Sequence, residues 1–130
     1  MTIKIKLTSV LVGDQKQALR FYTEVLGFVK KTDLPAGKFR FLTVVSPTGP
    51  DDIELLLEPN ENPAAKTFQS ALFKQGIPLT AFAVDDIQAE YERMRKLGVV
   101  FRAKPAKMAG GPTVALFEDT CGNLIQLYQG

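Results

Sequence analysis

Apolar positions along this chain recur with two periods, and the switches between them divide it into elements. At the N-terminus Ile3, Ile5 and Leu7 alternate with Lys4 and Lys6, which predicts a half-solvated strand running on through Val10 and Val12. Ala18, Leu19, Tyr22, Val25 and Leu26 then fall at helical spacing, with Asp14 and Gln17 placed as a capping box and Gly27 as the stop. Residues 39–45 and 53–57 read as strands. A second extended run at 80–84 leads into a stripe of Ile87, Tyr91, Met94 and Leu97, capped by Asp85 or Asp86 and closed by Gly98, with strands at 113–117 and 124–128.

These elements repeat. At a shift of 72 residues, 8–14 lies over 80–86, each an apolar run ending in an acidic turn residue, and each leads into a helix and then about three strands. The pattern predicts two modules, 1–60 and 77–130, joined by a linker helix over 62–76. Asn62 caps that helix, Pro63 opens it, Gly76 ends it, and Phe68 and Leu72 are its expected anchors. The fold class is α+β, a pair of βαβββ units.

Composition narrows the function classes. The 130 residues suit one domain, and 45% apolar with 23% charged residues marks a globular chain. Sixteen basic and fourteen acidic side chains leave a net charge of +2 with no basic tract, so no nucleic-acid-binding surface is expected. No apolar run is long enough to span a membrane, and no export signal is legible. With the lone Cys121 unable to form an internal disulfide, the expected location is the cytoplasm. Cys121 itself, with no histidine or nearby cation in sequence to activate it, reads as a turn residue.

The segments Leu11-Val12-Gly13-Asp14, Phe21-Tyr22-Thr23-Glu24-Val25-Leu26-Gly27-Phe28 and Gly122-Asn123-Leu124-Ile125-Gln126-Leu127, carried on a duplicated unit, resemble the vicinal oxygen chelate superfamily of glyoxalases, bleomycin-resistance proteins and extradiol dioxygenases. The resemblance covers essentially the whole chain. It implies two modules whose mixed sheets curl around an open cup, assembled as a homodimer. It also implies, in the members that bind a metal, one ligand on the first and one on the last strand of each module. By motif those positions are Leu7, Glu54, Leu79 and Gln126, and the 72-residue shift lays Leu7 over Leu79 and Glu54 over Gln126.

Leucine has no lone pair to donate, and the chain contains no histidine, so no metal and no other cofactor is expected. The same absence removes histidine-based nucleophile triads. Alternation places Ile5, Ser9, Leu56, Ala81 and Tyr128 on the face of the four mapped positions. The candidate ligand contacts are therefore Glu54, Gln126, Tyr128, Ser9, Leu7, Leu79 and Leu56, an apolar lining with a few polar groups. A desolvated Glu54 would have a raised pKa and serve as a general base; it is the candidate catalytic residue. It could equally be a satisfied polar group paired with Gln126 or Tyr128. Arg40, Arg102, Lys104 and Lys107 are candidates for a cationic rim. The Gly110-Gly111 loop reads as a flap or, more simply, a hairpin connection.

Three functions stay open on this reading. The first is a metal-independent binder of a small apolar or aromatic molecule. The second is a lyase, isomerase or dioxygenase-like enzyme using Glu54. The third is a dimeric assembly module with a filled cup.

Overall fold

The computed structural model describes residues 2–130. The chain divides into two compact units, the first running to Lys66 and the second from Thr67 to Gly130. Each contains one four-stranded mixed sheet backed by helix, an α+β arrangement with no closed barrel.

In the first unit, strands β1 (Leu7–Val12), β2 (Val29–Ala36), β3 (Phe39–Val45) and β4 (Glu54–Pro59) lie in the order β1-β4-β3-β2. β1 runs parallel to β4, while the other neighbours are antiparallel. Residues 2–6 are not strand, although alternation predicts one; Ile3 is 96% and Ile5 79% exposed. The reason is the neighbour. β4 begins only at Glu54, opposite Leu7, so residues 2–5 have no ladder to join within the unit.

Helix α1 (Gln15–Arg20) is capped by the Asp14 carboxylate, which accepts from the backbone N–H of Lys16 and Gln17. It continues as a π-helical turn over Phe21–Val25. The wider turn changes the phase of the stripe, so Ala18, Phe21 and Tyr22 are buried while Leu19, Val25 and Leu26 are only half-buried. They pack on the face of the sheet that carries Val10, Val12, Leu42, Val44 and Leu57. The side chain of Gln15 reaches between β3 and β4. Its Nε2 donates to the carbonyls of Arg40 (2.7 Å) and Leu57 (2.9 Å), and its Oε1 accepts from the Arg40 N–H (3.0 Å). Paired residues of β3 and β4 are Thr43 with Leu56 and Val44 with Leu55, and Gln15 satisfies the backbone where that ladder stops.

α2 (Pro63–Gln75) begins as expected, with the Asn62 Oδ1 accepting from the Ala64 N–H. Its anchoring differs from expectation. Phe68 is exposed and Leu72 half-buried, while Gln69 is buried and its amide donates to the Cys121 carbonyl (3.1 Å) and Asn123 Oδ1 (2.9 Å). A hydrogen-bonded amide can be the buried face of a helix when the groups it meets are polar.

In the second unit β5 (Thr80–Ala83), β6 (Ala106–Lys107), β7 (Thr113–Glu118) and β8 (Leu124–Gln129) are ordered β5-β8-β7-β6, again with the first and last strands parallel. α3 (Ile87–Lys96), capped by Asp86 through the Ala89 N–H, lays Ile87, Tyr91 and Met94 on β7 and β8. Phe101 fits between Tyr91 (4.8 Å) and Phe117 (5.6 Å). Among the described residues, no helix is long and apolar enough to cross a membrane.

Candidate functional site

Each sheet has a helix-covered face and an opposite face, and the sequence-derived site residues that lie in strands, Leu7, Ser9, Glu54, Leu56, Gln126 and Tyr128, fall on the opposite faces. In the first unit Leu7 pairs with Glu54, Ser9 with Leu56 and Leu11 with Glu58, so β4 presents Glu54, Leu56 and Glu58 in one row. Leu56 continues across to Thr43 on β3, and Phe41 on the same side of β3 pairs with Leu34 of β2.

Glu54 is held by neighbours that the sequence did not single out. Its Oε1 accepts from the hydroxyls of Thr43 (2.6 Å) and Thr32 (2.7 Å) on the two next strands. These hydroxyl donors, Thr43 first and Thr32 second, hold the carboxyl below the usual glutamate range despite the opposing effect of burial, and the Lys31 charge adds to the lowering. The expected rise in pKa is therefore reversed. Hydrogen bonds to the charged form outweigh desolvation because Glu54 is only partly buried. The partners also differ from the suggested Gln126 or Tyr128. Lys31 itself donates to the Asp51 carbonyl. Glu54 Oε2 receives no hydrogen bond among the described residues.

Glu58, absent from the sequence-based site, shares this face and has no ion pair among the described residues. Its signal was legible: Glu54, Leu56 and Glu58 are two apart on one strand.

In the second unit, Ala81 pairs with Gln126, Ala83 with Tyr128 and Leu116 with Gln126 on the other side. Gln126 is half-buried and Tyr128 38% exposed, and neither side chain has a hydrogen-bond partner among the described residues. Leu79 precedes β5, its N–H donating to the Leu124 carbonyl. This register departs from the 72-residue shift. Ser9 faces Leu56 in the first sheet, but 72 residues later Ala81 faces Gln126, so the register counterpart of Gln126 is Leu56. Glu54 corresponds in the same way to Leu124. The two-residue slip preserves the face and changes the row.

Of the candidate cationic rim, Arg40 and Arg102 are paired with carboxylates and, among the described residues, Lys104 and Lys107 are not. Arg40 makes a two-point contact with Asp33 (2.9 and 2.6 Å), which holds the Asp33 carboxyl down at about 2, chiefly through that hydrogen bond. Arg102 pairs with Glu118 (3.1 Å) and lies 5.1 Å from the Phe73 ring centre. Lys107 donates to the Gly111 carbonyl, while Lys104 is exposed. The Gly110-Gly111 segment is a hairpin connection, tied by Met108 N–H to Pro112 O and Gly111 N–H to Met108 O, both 3.0 Å.

Cys121 lies in a buried turn organised by Asp119. Asp119 Oδ1 accepts from the Cys121 and Asn123 N–H groups, and Oδ2 from the Asn123 amide. Gly122 has φ of 102°, and a Cβ there would lie 2.8 Å from Gln69 Nε2. The Gly-Asn motif is thus explained by packing.

The four positions that the motif resemblance maps to metal ligands offer few donors, taken one by one. Leu7 and Leu79 offer carbon, Glu54 has one oxygen occupied by two hydroxyls, and Gln126 adds one amide oxygen. Neither Leu7 with Glu54 in the first unit nor Leu79 with Gln126 in the second fits the three or four strong nitrogen, sulfur or carboxylate ligands of a protein Zn, Ni or Fe centre.

The family model for the glyoxalase/bleomycin resistance protein/dioxygenase superfamily matches residues 4–127. The chain is 58% identical to the uncharacterized protein YurT of Bacillus subtilis (strain 168), over 98% of this chain and 99% of that one. Among solved structures it is similar to UcmS2, at 32% identity, a TM-score of 0.82 and 98% coverage of both chains. It is also similar to TnmS3, an antibiotic-binding protein from Streptomyces sp. CB03234, at 29% identity, a TM-score of 0.73 and coverage of 99% and 98%. With a family match over nearly its whole length and the same two four-stranded mixed sheets, the chain belongs to the glyoxalase/bleomycin resistance protein/dioxygenase superfamily.

Proposed function

We propose that this protein binds a small apolar or aromatic molecule without the help of a metal ion. The observation that carries the reading is the pair of leucines, Leu7 and Leu79, at two of the four positions that the resemblance implies for metal ligands. The ligand contacts we assign are Leu7, Ser9, Glu54 and Leu56 in the first unit and Leu79, Gln126 and Tyr128 in the second. Apolar surface with a few unpaired polar atoms suits recognition of a small organic molecule. The likeness to TnmS3, described as antibiotic-binding, supports the same class of function.

The enzymatic alternative gains nothing from Glu54. A general base works best with a pKa near the working pH, and the two threonines hold this one low. We include a homodimeric state in the proposal, supported by the exposed Ile3, Ile5, Leu34 and Val100, and a cytoplasmic location, supported by the lone cysteine.

The test is metal analysis of protein purified without chelator, then thermal-shift titrations with Zn, Ni, Mn and Fe(II) and with a panel of aromatic antibiotics. Stabilisation by panel members in chelator, with no response to metals, is the expected result. Stoichiometric metal, or metal-dependent stabilisation, would overturn it. Light scattering at the mass of one chain would remove the dimer.

A further inference from the structure

An ionised carboxylate on a largely apolar face is costly unless something of opposite charge or a hydrogen-bond donor meets it. On the first sheet Glu54 is kept in that ionised form by geometry. Two hydroxyls, each with a single proton to give, both spend it on Oε1. Thr43 is fully buried, so its hydroxyl has a fixed surrounding, and its direction orients the carboxylate. Oε2 is left without a donor from the described residues. Lys31, whose charge acts on Glu54, is engaged with the Asp51 carbonyl, and Lys38 is paired with Glu61. No lysine or arginine of the described residues forms an ion pair with Glu54 or Glu58.

Apart from Ser9, Thr32 and Thr43, the neighbours on this face are apolar. Leu7 lies beside Glu54, Leu56 lies between the two carboxylates, and Phe41 and Leu34 lie further along the same side. Glu54 and Glu58 are four residues apart on one strand, which separates their Cα atoms by about 13 Å at ordinary strand rise. One aromatic ring can therefore rest on Leu56 with a cationic group at either carboxylate.

We propose that the open face of the first sheet selects an organic cation, a protonated amine or amidine on an apolar or aromatic body, with the charged nitrogen taken by Glu54 Oε2 and Glu58 extending the negative field. This rests on the small-molecule reading above and names its ligand class. An N–H cation satisfies the open oxygen by a charge-assisted hydrogen bond, stronger than a neutral donor makes. An anion of the same shape is repelled by both carboxylates. The chain as a whole carries +2, so the preference would oppose its net charge and come from this face alone.

The experiment uses three probes of nearly equal shape, benzamidinium, benzamide and benzoate, titrated into the isotopically labelled full chain and followed by amide chemical shifts. Benzamidinium is expected to move the amides of Thr43, Glu54 and Leu56 and to bind at least tenfold more tightly than benzamide, with no response to benzoate. Glu54→Gln, which keeps an oxygen for the two threonines, is expected to weaken benzamidinium at least tenfold, and Glu58→Gln by about threefold. Circular dichroism confirms that each variant is folded, and Glu58→Gln provides the test if Glu54→Gln is not. Benzamide binding as well as benzamidinium, benzamidinium shifts elsewhere, unchanged affinity in both variants, or no binding of any probe would each overturn the proposal. Neutral binding that ignores both substitutions would remove only the charge preference and leave small-molecule binding standing. The metal titration above decides the metal-free reading separately.

Discussion

The two sheets share strand order, a parallel first-and-last pair and a capped helix behind them, yet their polar groups are used differently. In the first unit the carboxylate of Glu54 lies on the open face, with one oxygen occupied and one open. In the second the prominent carboxylate, Asp119, is fully buried and accepts hydrogen bonds from Cys121 and Asn123 within a single turn. The open face of the second sheet has instead the neutral Gln126 and Tyr128. Burial separates the roles. A carboxylate surrounded by its own turn has nothing left to offer a ligand, whereas one that is half satisfied at a surface does.

The sharpest way to break this contrast is to remove the buried acid. Asp119→Ala leaves the Cys121 and Asn123 N–H groups without their acceptor, and we expect a loss of about 3 kcal/mol in urea unfolding. A loss below about 1 kcal/mol would mean that the turn does not depend on Asp119. Next in size, Gly122→Ala forces a side chain into a left-handed backbone and against Gln69, with an expected cost of about 2 kcal/mol. Restoring space with Gln69→Ala in the same chain should recover the steric part and none of the backbone part.

The smallest effect belongs to Glu54 and is best seen through pH. Its folded pKa lies below the unfolded value, so its contribution is present above the ordinary glutamate pKa and fades as pH falls through the lowered one. Wild type should therefore be more stable than Glu54→Gln at neutral pH, with the difference closing in acid. A stability gap that widens as pH falls would show that the threonines do not favour the charged form.

Much of the fold was legible because its signals are local. Asp14, Asp86, Asn62 and Gly98 mark helix boundaries by their own hydrogen bonds or backbone angles, and strand alternation placed Glu54, Leu56, Gln126 and Tyr128 on the open faces. What failed was whatever depended on a neighbour. Ile3 and Ile5 alternate as a strand does but have no strand beside them, and the phase of the first stripe changed where a π turn put both Phe21 and Tyr22 inside.

By itself, then, the sequence determined the element types, the duplicated topology, the face each strand residue occupies and the absence of histidine chemistry, all of which follow from local periodicity or from composition. Only the tertiary structure decided the two-residue slip between the sheets, the choice of Gln69 over Phe68 as the buried residue of α2, and the hold of Thr32 and Thr43 on Glu54. Parity survives a slip of two, so a sequence can read it. Register and hydrogen-bond partners join residues far apart in the chain, and those are chosen by which strands and turns come to lie side by side.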